Sequence, residues 1–244
     1  MHEVDVVVLT LNGQRTLRLC LSSIRNNIPV KNIIIVDGGS TDGTLDELSK
    51  AKDVILISDK NGTRATSRQL GIENVTTKWF AFVDSDAIIP KDWFTQIKSF
   101  IEPNVGGICG VEEIPYVKNV YLKKLQQICN MKYTFHKGSN ITMAGLIRTE
   151  AVSGIRIPSQ LHVFEDEYIQ DYIRSRGYTV VITPRVKCYH LKSAMDWSLN
   201  NIIENKAMEW KLMKFRPETA IYELLHGFSV KLSTLGKRPS FEGE

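Results

Sequence analysis

Two acidic clusters, about eighty residues apart, carry most of the chemistry available to this 244-residue chain. Asp84-Ser85-Asp86 follows the apolar stretch 79–83, and Glu165-Asp166-Glu167 opens a stretch with helical spacing. Carboxylates at i and i+2, placed where a buried strand ends, suit a hard divalent cation held against a diphosphate. A second carboxylate pair far along the chain suits proton abstraction from a nucleophile. Upstream, residues 33–44 read IIIVDGGSTDGT, an apolar run entering an Asp/Gly-rich turn.

These residues need a scaffold, and the periodicity of the first 110 residues supplies one. Val4–Leu11 is a valine-rich run of the kind buried on both faces of a sheet. Further strands are expected at 32–36, 54–58, 79–83 and 107–111. Helical spacing falls between them at 16–24, 45–50, 63–74 and 92–101. Alternation of this kind predicts βαβ crossovers and a mostly parallel α/β sheet flanked by helices. Ligands bind beyond the carboxyl ends of such strands, and Asn12, Asp37 and Asp84 all fall there. Later elements are expected as helices at 120–133 and 164–176, with the stretch 139–146 and strands at 179–183 and 187–190. The remainder is expected to be mostly helical. A boundary near residue 192 would separate a catalytic domain, 1–192, from a basic amphipathic helical extension, 193–244.

Composition is that of a soluble globular domain, 43% apolar and 24% charged. Four scattered cysteines without a CxxC pair argue against zinc or a disulfide framework and for a reducing compartment. No secretory signal and no membrane span is legible, which points to the cytoplasm, at the cytoplasmic face of the membrane if the basic tail touches lipid. The net charge of +4 resides between Lys206 and Arg238, where seven Lys/Arg face three Glu. That excess is too weak for nucleic acid and fits an anionic lipid surface better. Trp210, Phe215 and Phe228 could rest on such a surface. The stripe Ile221, Leu224, Leu225, Phe228, Leu232 and Leu235 reads more simply as a face packed on the domain.

Five segments in order carry a resemblance to a family: residues 6–12, 34–44, 61–71, the DxD at Asp84–Asp86, and the pair Glu165-Asp166. Over roughly residues 4–192 the chain resembles a family 2 glycosyltransferase of the GT-A fold. Leu9, Gly38, Thr63, Ser67 and Gln69 depart from the family's usual Pro, Asp, Gly, Ala and Asn. The Q-x-x-R-W signature of processive polymerising members is missing after Gln170, which implies single transfer.

The resemblance implies an inverting, metal-dependent hexosyltransferase. Its donor would be a GDP- or UDP-sugar of mannose or glucose type, and its cofactor Mn2+ or Mg2+. Thr10, Asn12, Asp37, Arg68, Asp84 and Ser85 are expected at the donor. Asp37 would accept from a base N–H; its plainer role, capping the next helix, suits Asp42 better. Asp84 would orient the ribose or a metal-bound water, and Asp86 would bind the metal. Arg68, with Arg64 one turn earlier, would face the diphosphate. Asp166 is expected as general base beside Glu165, and the mutual repulsion of the two should raise one pKa. Acidic residues also suit a helix start through its dipole, and the two roles are compatible. His190 resembles the family's metal-site histidine, and Lys192 and Ser193 are lesser phosphate candidates. The acceptor reads as a hydroxyl on a glycan or lipid-linked sugar; the alternatives are a polyprenyl (dolichyl) phosphate acceptor, or a nucleotidyltransferase activity.

Overall fold

β-Branched side chains are stiff and suit a pleated surface, and the valines of β1 (Val4–Thr10) are buried almost throughout. The computed structural model describes residues 3–113 and 141–191, together with helical positions 121, 124, 128, 221, 224, 225 and 228. On one side β1 pairs in parallel with β2 (Val30–Asp37), and β2 with β3 (Val54–Ser58). On the other it pairs in parallel with β4 (Trp79–Asp84).

Beyond β4 the sheet becomes mixed. Numbered in chain order, the remaining strands are β5 (Ala87–Ile88), β6 (Val105–Glu113), β7 (Gly145–Arg148) and β8 (Thr179–His190). β7 lies antiparallel between β4 and β6, β8 runs parallel to β6, and β5 closes antiparallel on β8. The order is β3-β2-β1-β4-β7-β6-β8-β5. The two late strands expected at 179–183 and 187–190 are one strand, β8, whose register against β6 shifts between Cys109 and Val111. Glycine is required at that shift, because a Cβ on Gly110 would lie 2.1 Å from the Val186 carbonyl oxygen.

Two cores cover the two faces. Val4, Val6 and Val8 meet helices α1 (Leu17–Asn27) and α4 (Trp93–Lys98), through Leu17, Ile24, Trp93 and Ile97. Val7 points the other way, with Ala65 of α3 (Arg64–Glu73) and with Ile169 and Ile173 of α6 (Glu165–Ser175). This alternation is the two-residue period of the strand. Two shorter helices are α2 (Thr44–Ser49) and α5 (Ile141–Ala144). α3 starts at a capping box: Thr66 N–H donates to the Thr63 hydroxyl oxygen at 3.2 Å, and Thr63 N–H to that of Thr66 at 2.7 Å.

Tyr121, Lys124 and Ile128 lie in a helix, as the spacing over 120–133 predicts; the rest of that stretch is outside the described residues. So are Lys192, Ser193, Trp210, Phe215 and the extension from 193, apart from the four positions above. Those four correct one expectation. Ile221 and Phe228 are each 60% exposed, Leu224 44% and Leu225 40%, so this part of the stripe is turned to solvent and is not packed on the domain.

Candidate active site

Parallel strands in register bring their carboxyl ends to one edge. Thr10 pairs with Asp37, and Leu9 with Asp84, so three expected donor residues share that edge. The rim is built by a relay from β1 to β2. Asn12 adopts the left-handed region at φ 54°, which asparagine tolerates. Its N–H donates to Ser40 Oγ at 2.8 Å, and Ser40 Oγ–H donates to Asp37 Oδ1 at 2.5 Å. The Asn12 side-chain oxygen in turn accepts from Thr41 N–H at 2.8 Å.

Asp37 is buried, and its Oδ2 also accepts from the N–H groups of Gly39 and Ser40. A carboxylate offers roughly four acceptor positions, so three are spent within the turn. Asp37 thus shapes the turn first and retains room for about one further bond. Asp42 does not take the expected capping position: the N-cap of α2 is Gly43, and Asp42, one residue earlier, accepts from Thr44 N–H at 2.9 Å and from the Thr44 hydroxyl. The hydroxyls of Thr10 and Ser85 flank Gly13, where a Cβ would sit 2.6 Å and 3.5 Å from them.

Arg68, expected to face the diphosphate, is buried on α3. It is 3% exposed, its Nη2 lies 2.6 Å from Asp84 Oδ1, and its guanidinium carbon stands 4.8 Å from the centre of the Phe82 ring. Asp84 is therefore ion-paired. Nε and Nη1 of Arg68 lack hydrogen-bond partners among the described residues, as do Thr10 Oγ1 and Gln170 Nε2. A buried guanidinium with open donors suits phosphate oxygens. Arg64, one turn earlier, is exposed.

The two carboxylates expected to act on the acceptor, Glu165 and Asp166, stand at the start of α6. Phe164, just before it, is at φ 68°, a region costly for a bulky side chain by about 1–3 kcal/mol. This turn buries Glu165 and leaves Asp166 partly exposed. Burial, reinforced by the adjacent Asp166 charge, pushes the Glu165 carboxyl up to about 7, against the pull of Arg68 and Arg64. The repulsion expected from two neighbouring carboxylates thus falls on the buried one.

Asp86 and His190, 104 positions apart, are brought together: His190 Nε2 lies 2.9 Å from Asp86 Oδ2. Pairing of Ala87 with His190, and Leu191 N–H donating to the Asp86 carbonyl at 2.8 Å, hold the two chain segments in place. One carboxylate oxygen and one imidazole nitrogen form a two-donor set. Among the described residues no group of three or more His, Cys, Asp or Glu is arranged to hold a metal alone. Two protein donors fit a cation whose other ligands are water and substrate phosphate. The residue missed by sequence reasoning is Glu112, whose Oε2 lies 2.6 Å from His190 Nδ1. Its signal was legible, since Glu112 also ends an apolar strand-like run.

The sequence profile of Glycosyl transferase family 2 matches residues 5–156, and the chain belongs to that family. Its fold is the GT-A fold of solved glycosyltransferases, and membership of this family sets the nucleotidyltransferase alternative aside. It is 34% identical over 107 residues to an uncharacterized glycosyltransferase of Haemophilus influenzae, covering 41% of this chain and 33% of that protein. It is 33% identical over 93 residues to a teichoic acid poly(glycerol phosphate) polymerase of Staphylococcus epidermidis, covering 35% and 13%. The match thus spans a third or less of these relatives. Among solved structures, mannosyltransferase PcManGT from Pyrobaculum calidifontis, in complex with GDP-Man and Mn2+, superposes with TM-score 0.66 at 16% identity over 95% of this chain and 72% of that one. Glucosyl-3-phosphoglycerate synthase from Mycobacterium tuberculosis, with Mn2+, UDP and phosphoglyceric acid, gives 0.60 at 14% identity over 86% and 78%.

Proposed function

We propose that the chain transfers a single mannose- or glucose-type hexose from a GDP- or UDP-sugar to a hydroxyl of a glycan or lipid-linked acceptor, with inversion. The observation that carries this reading is the meeting of Asp86 and His190, with buried Arg68, whose Nε and Nη1 lack hydrogen-bond partners among the described residues, paired to Asp84 two residues before Asp86. The GDP-Man, UDP and Mn2+ bound by the structural relatives support it.

Asp86 and His190 would hold a divalent cation, which neutralises charge on a departing diphosphate. An imidazole in the set favours Mn2+ over the harder, oxygen-demanding Mg2+. Arg68 Nε and Nη1 would donate to diphosphate oxygens, while Asp84 holds the guanidinium in place. The acceptor oxygen attacks the anomeric carbon from the face opposite the diphosphate, and the bond from that carbon to the diphosphate oxygen breaks. The acceptor proton would pass to Asp166, the partly exposed member of the pair, while Glu165 is buried. Asp37, with one acceptor position left, would serve the base.

A polyprenyl phosphate acceptor is the second reading, favoured by the exposed apolar positions 221, 224, 225 and 228 within a basic segment. Among the described residues no helix is long and apolar enough to cross a membrane. The test is Asp166→Asn. Transfer to a hydroxyl should fall roughly 10²–10⁴-fold, with donor affinity within a few-fold of wild type. A phosphate acceptor, already anionic, would lose little, and unchanged turnover on hydroxyl acceptors would remove Asp166 from the mechanism.

A further inference from the structure

Glu112 lies near the end of β6, and the register pairs it with Cys188 of β8. His190, two residues beyond Cys188, therefore projects from the same face. The imidazole spans two carboxylates: Nδ1 is 2.6 Å from Glu112 Oε2, and Nε2 is 2.9 Å from Asp86 Oδ2. Glu112 and His190 are both buried, while Asp86 is the more exposed partner. Of the two carboxylates on the ring, Asp86 is thus the one that reaches toward solvent. A carboxylate behind a metal-binding histidine fixes the ring's rotation and keeps the proton on the far nitrogen, leaving the near one free to ligate.

We propose that Glu112 is a positioning residue that orients His190 for a divalent cation shared with Asp86. This rests on the assignment of Asp86 and His190 to the metal. A carboxylate kept only to satisfy a buried histidine would stabilise the fold without affecting the metal.

The test uses Mn2+ and a nucleoside diphosphate on the full chain, with bound Mn2+ measured by electron paramagnetic resonance. Electron spin-echo modulation from a ligating imidazole nitrogen reports His190 itself. Glu112→Met, similar in size but unable to accept, should weaken Mn2+ roughly 10- to 100-fold and diminish the nitrogen modulation. Glu112→Gln, whose amide oxygen can still accept from Nδ1–H, should restore both to within about threefold of wild type. Nucleotide affinity without metal should be the same in all three proteins. His190→Ala separates the two ideas. If it leaves Mn2+ affinity and modulation unchanged, the metal assignment itself fails. If it removes the modulation while Glu112→Met keeps wild-type values, the role of Glu112 alone is overturned. Should Glu112→Met not fold, the Mg2+-loaded wild type decides: a proton on His190 Nδ1 in its nitrogen-15 spectrum is required, and a bare Nδ1 overturns the proposal.

Discussion

Arg68 and Glu165 face each other across 3.9 Å inside the site, too far apart for a hydrogen bond and close enough for attraction. The same guanidinium pairs with Asp84 at 2.6 Å, so one buried cation ties the end of β4 to the start of α6. Its Nε and Nη1 have no hydrogen-bond partner among the described residues. Glu165 sits within reach of this positive charge, yet burial and Asp166 still hold its proton to about pH 7.

That raised carboxyl sets a pH dependence. The folded chain holds the Glu165 proton more tightly than the unfolded chain does, so its contribution is complete below the ordinary 4.5 and is lost as pH rises to about 7. The interval corresponds to roughly 3 kcal/mol. Denaturant unfolding of the metal-free and donor-free protein across pH 4–8 should show this fall, and Glu165→Gln should lack it. The difference between the two proteins isolates this group from carboxylates such as Asp5, whose backbone and side-chain hydrogen bonds lower its pKa despite burial. Parallel pH profiles would rule the raised carboxyl out.

Arg68 should matter to both folding and binding. Arg68→Met fills much of the volume but leaves Asp84 without its partner. A cost near 3 kcal/mol is expected, at the low end for broken buried pairs because Asp84 is 30% exposed and Glu165 can stay protonated. Nucleoside diphosphates should bind far more weakly, while nucleosides, which lack the diphosphate, should bind as before. Equal losses for both ligands would place Arg68 in the scaffold alone.

Donor class and metal can be read together from thermal unfolding with GDP, UDP or dTDP, each with and without Mn2+. Ligand at a hundred times its Kd stabilises by about 2.7 kcal/mol. One nucleotide should give a Mn2+-dependent rise that Asp86→Ala and His190→Ala abolish, with Mg2+ a weaker substitute. A rise that persists in both variants would move the cation elsewhere.

The exposed positions near the carboxyl end make a separate claim. Ile221→Glu with Phe228→Glu should reduce sedimentation with anionic phospholipid vesicles, leaving nucleotide-induced stabilisation unchanged. Wild type should bind neutral vesicles more weakly, because the seven Lys/Arg between 206 and 238 act through lipid charge. No difference between vesicle types would end the membrane reading.

Much of this was written locally in the chain. A strand buried on both faces shows as an unbroken apolar run, so β1, β2 and β4, with the carboxylates that end β2 and β4, were legible from residue order alone; the edge strand β3 carries the same run although it is half-exposed. The helix opened by Glu165 was equally clear, because a 3.6-residue period and acidic first turn are short-range patterns. Tertiary structure decided what long-range register and burial decide. β7 inserts antiparallel through only four residues, too few for its pairing to be seen in the sequence. Arg68 was expected at the donor, but its burial over Phe82 and its pairing with Asp84 come only from the packing of α3. Asp86 meets His190 across 104 positions and Glu112 meets it across 78, through strand pairings that no local pattern encodes. The sequence determined which carboxylates stand at the strand ends; only the assembled sheet determined which are paired, which keeps a proton, and which meets an imidazole.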